Sequence, residues 1–338
     1  MTIPMLLLSI FTFVELNCEN LFDCRHDSLK NDTEFLPDGA YHWTRSRYWR
    51  KLNRVGQTII SCGEGNGVES GGDGGNGAVG NAWKLPDLVA LCEVENDTVL
   101  TDLTRRSLLR KARYGYVMTS SPDERGIDVA LLYSPFSFRL LSHRSVRIHP
   151  MKGMRPTRDL LYASGLVASG DTLHVIVAHL PSRRGGEAVS RPWRRHVARH
   201  IVELADSVRQ VSCNAMIVVA GDFNDYASSE SLQMLRSATF EDVSAQATGS
   251  NGAKGTYRFR GEWGSLDHIL VSLPMLPLLQ SCRIHDATFL LAPDDKYGGV
   301  QPKRNYLGPR YLDGFSDHLP LVAVFSLRTM PAETIEER

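Results

Sequence analysis

Apolar positions in this chain recur with two periods, and the two periods take turns along almost the whole length. Alternating or continuous apolar runs predict strands at 12–16, 88–93, 129–133, 145–148, 161–167, 173–179, 215–220, 268–271 and 321–325. Ile217-Val218-Val219-Ala220 is apolar throughout, which suits a strand covered on both faces. Spacings of three and four predict helices at 47–61, 97–112, 188–211 and 228–237. In the third helix Val197, Ile201, Leu204, Ala205 and Val208 share one face. Some strands are separated by helices and others only by turns. That mixture fits two mixed β-sheets packed together with helices outside better than one doubly wound parallel sheet.

Two stretches break the pattern. Residues 63–80 hold nine glycines in eighteen positions and show no period, so they read as a flexible surface insertion. A phosphate-cradling glycine loop follows a strand at fixed spacing, whereas a helix precedes this one. Residues 292–315, rich in Pro, Gly and Tyr, read as a long loop shaping the rim of a site. The tail at 328–338 is polar and expected to fray. The apolar run from Met5 to Val14 has no Lys or Arg before it and no small-x-small site before Glu15, so a signal peptide is poorly supported. Its later half reads better as a strand leading into a polar site. A shortened leader at 1–9 stays open, and the compartment, cytoplasmic or exported, is undetermined.

Composition narrows the field. The 338 residues carry 38 Lys+Arg and 38 Asp+Glu, so no overall basic field draws nucleic acid to the surface. Hydrophobic residues at 42% are enough for a sizeable core. No apolar stretch reaches the roughly 18 residues of a membrane span. The six cysteines form no C-x-x-C and are too few for a disulfide scaffold. Cys92 and Cys213 lie beside apolar runs and read as buried thiols.

Polar residues that can do chemistry cluster at strand ends. They are Asn17, Glu93, His179, the Gly221-Asp222-Phe223-Asn224-Asp225 run, Asp267, and Ser316-Asp317-His318. Each alone has an ordinary explanation as a cap, a turn or a surface carboxylate. Together they supply oxygen donors suited to hard cations such as Mg²⁺ and two histidines able to move protons near neutral pH. Cys92 beside Glu93 points to the opposite face if the strand is regular, and reads as core.

That ordered set resembles the endonuclease/exonuclease/phosphatase superfamily, over about residues 11–327. Gly221-Asp222-Phe223-Asn224 and Ser316-Asp317-His318 are its most specific pieces. The segments 17–23 and 179–186 resemble a bacterial branch of it. The resemblance implies one four-layer α/β sandwich domain over 11–327, with two mixed sheets face to face and helices outside. It implies a hydrolase of phosphoester bonds that uses Mg²⁺ or Mn²⁺. Glu93 with Asn17 corresponds to the metal site. Asp222 and Asn224 flank the scissile phosphate, and Asp267 supports the second histidine or a second metal. His318 is the general base or a donor to phosphate, oriented by Asp317 or Asp267. His179 resembles the histidine of the pancreatic-type DNase and sphingomyelinase branches, where it stabilises the transition state or protonates the leaving oxygen; the repair-endonuclease branch lacks it. Arg158, Arg183, Arg184 and Arg125 are the expected substrate-phosphate contacts, through bidentate guanidinium pairing. The chain is expected to act as a monomer on a phosphoester, with nucleic acid as one candidate. A small or lipid phosphoester is the alternative, and an inactive binding module of the same fold is a third reading.

Overall fold

A computed structural model of the chain describes residues 8–63 and 84–328. The glycine-rich insertion beyond Gly63, the first seven residues and the tail beyond Arg328 lie outside the described residues.

Along the chain run β1 (Leu8–Leu21), α1 (Arg45–Ser61), β2 (Leu88–Val94), α2 (Asp97–Arg105), β3 (Gly115–Met118), β4 (Asp128–Tyr133), β5 (Phe138–Val146) and β6 (Leu160–Val167). Then come β7 (Thr172–His179), α3 (Glu187–Val211), β8 (Met216–Asp222), α4 (Glu230–Ser237), β9 (Phe240–Asp242), β10 (Tyr257–Phe259), β11 (Glu262–Gly264) and β12 (Asp267–Ser272). The last are β13 (Leu279–Ile284), β14 (Leu291–Pro293), β15 (Val300–Pro302), β16 (Tyr306–Leu307), β17 (Arg310–Tyr311) and β18 (Leu321–Arg328).

Twelve of these strands form two six-stranded sheets, ordered β13-β18-β1-β2-β4-β3 and β5-β6-β7-β8-β12-β9. Each sheet has one parallel pair, β1–β2 or β7–β8, among antiparallel neighbours. A parallel pair needs a crossover, and α1 and α3 supply the two. Alternation along β1 shows how the layers form. Phe11 and Phe13 join Val177, Val218, Ala220 and Ile269 in the core between the sheets. Val14 and Leu16 face the other way, onto Leu52, Val55 and Ile59 of α1. On the second sheet Ile176, Ile217 and Val219 meet Val197, Ile201 and Leu204 of α3 and Leu232 of α4. The result is the expected α/β sandwich of helix, sheet, sheet and helix. Strands covered on both faces explain the near-continuous apolar runs.

The register aims one end of the sandwich at a common point. Strands β1, β2, β7 and β8 all end there, and the antiparallel β12 and β18 begin there. Asp267 is the partner of Asp222, and His179 lies beside Asp222. Leu8 is the partner of Arg328. Gly63 also packs against the chain beyond the insertion, since a Cβ on it would sit 2.0 Å from the Lys84 carbonyl oxygen.

Several elements differ from the sequence reading. The helix expected at 97–112 ends at Arg105, where both Arg106 and Ser107 amides donate to the Asp102 carbonyl. A short 3-10 turn over Leu108–Lys111 follows, with Ser107 Oγ accepting from the Leu109 amide. The strand expected at 145–148 is β5, running Phe138–Val146. It is an exposed sheet edge of mostly polar residues, so the hydrophobic pattern hid it. Strands β3, β9 and β13 were also hidden, being short or half exposed. The 292–315 stretch holds strand β15 of the β14–β15 hairpin and the whole β16–β17 hairpin. Cys213 is exposed, not buried, and all six cysteines are free thiols.

Candidate active site

Two backbone irregularities place the carboxylate and amide of the first sheet. Strand β2 bulges between Cys92 and Val94, and Glu93 has φ +63°. A bulge re-aims a side chain, and here the Glu93 carboxylate turns to the strand end and accepts the Asn20 amide at 2.8 Å. Strand β1 shifts register after Asn17, with Glu19 and Asn20 at φ +50° and +58°. Asn17 is buried and donates Nδ2 to Asp222 Oδ2 at 3.0 Å, tying the first sheet to the second. Cys92 stays in the core between the sheets, as read from the sequence. Its Sγ accepts the Asp222 amide, and burial pushes the thiol well above its usual range, so it is no nucleophile.

Gly221 opens the turn that carries Asp222 and Asn224. Its φ is +144°, and a Cβ there would lie 1.8 Å from the Ala178 carbonyl oxygen. Only glycine lets β8 approach β7 so closely. Asp222 Oδ1 accepts the Asn224 amide at 2.8 Å, and Asn224 Nδ2 donates to the Leu180 carbonyl at 3.1 Å. Burial, reinforced by Asp267, pushes the Asp222 carboxyl up to about 7.

The two histidines flank Asp222 in opposite electrostatic settings. His318 Nδ1 lies 2.8 Å from Asp267 Oδ2, which also accepts the Thr256 hydroxyl. Burial pushes His318 down, but Asp267, by charge and hydrogen bond, then Asp222 and Asp317, outweigh it and hold it well above the ordinary range. His179 Nε2 lies 3.5 Å from Asp222 Oδ2. Burial, then Arg158, Arg125 and His318, hold His179 well below the ordinary range. A pair pushed apart in this way divides into proton donor and proton acceptor. Asp317 turns to Arg304 at 3.6 Å, so Asp267 is the residue that orients His318.

The four arginines are placed unequally. Arg158 is largely buried, paired with Asp123 at 3.3 Å and donating to the Leu180 carbonyl. Arg183 donates to the Asn224 carbonyl, pairs with Asp225 and covers the Tyr226 ring. Both brace the site. Arg125 reaches Asn20, and the charges of Arg125 and Arg184 both act on Tyr41. Arg194 of α3 is wholly buried and paired with Asp225 at 2.9 Å.

The rim is fastened to β1. Glu19 accepts the Asn305 and Tyr306 amides at 2.6 and 3.0 Å. Lys51 of α1, also buried, donates to the Phe315 carbonyl, and Ser316 Oγ donates to the Asn17 carbonyl at 2.7 Å.

Sequence reasoning missed Glu15, Thr256 and Tyr257, and gave Asp225, the last residue of the Gly221–Asp225 run, no role of its own. Tyr257 places its ring 4.9 Å from that of His318. Asp225 anchors Arg183, Arg194 and Ser231. Glu15 had a readable signal, because it is two residues from Asn17 in a strand and so shares its face.

The chain matches the Endonuclease/Exonuclease/phosphatase family over residues 12–327. No curated protein matches it. Among solved structures it is similar to an endonuclease/exonuclease/phosphatase family protein from Bacteroides thetaiotaomicron, at 14% identity and TM-score 0.61, covering 95% of this chain and 99% of that one. It is similar to a mannosyl-6-phosphatase of the same species, at 14% identity and TM-score 0.58, covering 93% and 98%. TDP2 from C. elegans aligns at 14% identity and TM-score 0.53, covering 94% and 75%. No helix among the described residues is long and apolar enough to cross a membrane.

Proposed function

The chain belongs to the endonuclease/exonuclease/phosphatase family, and from that premise we propose a divalent-metal-dependent phosphoester hydrolase, a phosphodiesterase or nuclease before a phosphatase. The observation that carries the reading is the pair of oppositely tuned histidines converging on Asp222. Glu93 and Asn17 fit a hard cation: Glu93 lends only one oxygen to the Asn20 amide, and Asn17 Oδ1, which accepts the Glu19 amide at 2.9 Å, keeps a second lone pair. Mg²⁺ or Mn²⁺ held there would neutralise charge on the phosphate oxygens. His318, cationic and fixed by Asp267, donates to a phosphate or leaving oxygen. His179, neutral, accepts the proton of the attacking water. Asp222 and Asn224 hold that water in line, and Arg125 and Arg184 meet the substrate phosphates. No covalent nucleophile is required.

One observation favours a smaller ester. Arg158 and Arg183 are committed to the scaffold, which leaves few cations to track successive phosphates. A substrate panel separates the readings: plasmid DNA, RNA, bis-p-nitrophenyl phosphate, p-nitrophenyl phosphate, inositol phosphates and sphingomyelin, each with Mg²⁺, Mn²⁺ and EDTA. Diester cleavage lost in EDTA is expected. Full turnover in excess EDTA overturns the metal role. If nucleic acid is cut, binding should weaken with salt at a log–log slope near −0.9 per duplex phosphate contact. A flat slope beside clear turnover of a small ester selects the alternative.

A further inference from the structure

The hairpin beside His318 carries aromatic surface that the hydrolytic chemistry does not use. Strands β10 and β11 pair Tyr257 with Gly264, Arg258 with Trp263 and Phe259 with Glu262. Opposed residues share a face, so Tyr257, Phe259, Glu262 and Gly264 lie on one side, and Arg258 and Trp263 on the other. The second side belongs to the scaffold. Trp263 packs on the core between the sheets, and Arg258 pairs with Asp294 at 3.3 Å. The first side faces the site, because the Tyr257 ring lies 4.9 Å from that of His318. Two residues further out, about 7 Å along the strand, stands Phe259. It is 59% exposed, with the Arg260 guanidinium 5.1 Å over its ring. At the inner end Gly264 makes room for Tyr226, since a Cβ there would lie 2.7 Å from Tyr226 Cε1. The tip is stiff. Arg260 and Gly261, at φ +52° and +86°, make the left-handed two-residue turn that suits hairpin twist. A Cβ on Gly261 would lie 2.7 Å from Tyr297 Cβ, so Tyr297 braces that turn. Four Phe, Tyr or Trp residues are exposed among the described residues, and three of them, Tyr226, Phe259 and Tyr297, belong to this hairpin or pack on it. Apolar surface gathered in one place beside a site marks a binding face.

We propose that the Tyr257–Phe259 face of this hairpin is a stacking platform for unpaired nucleobases, so that the site takes single-stranded nucleic acid with the bases next to the scissile phosphate laid along the two rings. The proposal deepens the phosphodiesterase reading above and rests on it for the place of that phosphate. Base–aromatic stacking tolerates any sequence and adds roughly an order of magnitude in affinity per base. It needs no row of cations. A chain of zero net charge, with Arg158 and Arg183 committed to the scaffold, can therefore hold a strand by its bases instead of its phosphates. Bases in a duplex are already stacked on one another and offer no free ring face.

Fluorescence anisotropy of the full chain in EDTA tests it without turnover. The probes are a labelled oligothymidylate and a strand of equal length built from abasic tetrahydrofuran residues, which keeps the phosphates and sugar rings but has no bases. Wild type should hold the thymidine strand at least about tenfold tighter. That ratio should persist when salt rises from about 50 to 200 mM, where phosphate pairing fades. Phe259→Ala should cut the ratio to about threefold or less, and Phe259→Leu, apolar but without a ring, should do the same. Phe259→Tyr should keep it. Circular dichroism checks that each variant is folded, as the exposure of Phe259 leads one to expect. Equal affinity for the two strands overturns the platform, and so does a ratio that Phe259→Ala leaves untouched. A face that gripped sugar rings would give that equal affinity. Binding of neither strand also overturns the platform, while turnover of any ester in the substrate panel keeps the hydrolase reading. A base preference that depends on Phe259, beside no turnover of any panel ester, would support the platform and sink the hydrolase reading.

Discussion

At the scale of single residues, the two histidines differ in what surrounds them. His318 has a carboxylate at 2.8 Å, whereas His179 Nδ1 is buried without a partner and the charges of Arg158 and Arg125 act on the ring. His318→Ala and His179→Ala should each lower kcat on the order of 10²-fold or more, the usual scale for acid–base groups. If His318 protonates the leaving oxygen, its loss should matter less for p-nitrophenyl esters than for alkyl esters. The loss in His179→Ala should not depend on the leaving group. Equal sensitivity in both variants would remove this division of labour. Gly221 makes a different demand. A methyl group there would overlap the Ala178 carbonyl. Gly221→Ala should cost on the order of 3 kcal/mol or more, since strain and overlap add. Urea denaturation measures it, and a loss below about 1 kcal/mol would mean that β8 yields more easily than its packing implies.

At the scale of elements, the segment from Lys303 to His318 has little regular structure yet ends in the histidine that we propose as proton donor. Its order comes from Glu19, Lys51 and Ser316, each bonded across to or from β1 or α1. Lys51→Met should leave the Phe315 carbonyl unsatisfied and remove the lysine charge that acts on Glu19. The expected cost is about 1–3 kcal/mol, with faster amide exchange at 303–315 and a lower kcat. Unchanged exchange there would show that the hairpins hold themselves. This dependence explains what was legible beforehand. Strands such as β8 and β7 announced themselves, because both faces are buried and the apolar run is unbroken. The edge strand β5 did not, because its solvent face is polar. The strand-end residues were readable because their types suit one chemistry. The bulge at Glu93 and the left-handed turn at Asn224 were not, because they arise from pairing between distant strands. Arg183 and Arg194 looked alike in sequence, and only tertiary contacts assign both to Asp225.

At the scale of the whole molecule, the buried acids give the fold a pH dependence. Burial first, helped by neighbouring carboxylates, pushes Asp222 and Glu19 up to about 7 and Glu95 up to about 8. These groups are protonated in the native state and ionised in the unfolded chain over much of that range. His318 and His268, both raised, add to proton uptake on folding. His174, His179 and His285, all lowered chiefly by burial, oppose it, but their effect fades as pH rises above 6.5, their ordinary value. Between about pH 6.5 and 8 the native state therefore binds more protons, and stability falls as pH rises. The melting temperature in EDTA should drop across that interval, and saturating Mn²⁺ should flatten the profile. A melting temperature that climbs from pH 6.5 to 8 in EDTA would contradict the proton count.

The contact between Gly63 and Lys84 sets residues 63 and 84 side by side, so the two ends of the described chain meet there at one point, as two wires meet at a single socket. The register also sets Leu8 beside Arg328. The molecule is thus nearly a closed ring in space. Its sequence could be cut in a new place without disturbing the strands that carry Asn17 and Asp222. A circular permutant joining 328 to 8 by a short flexible linker, with new ends at 63 and 84, should fold and keep the parent's turnover within about threefold. Far-ultraviolet circular dichroism and the bis-p-nitrophenyl phosphate assay would check it. A permutant that folds but loses turnover would mean that the segment between 63 and 84 takes part in catalysis. A tag or a second domain placed at that junction should otherwise be tolerated.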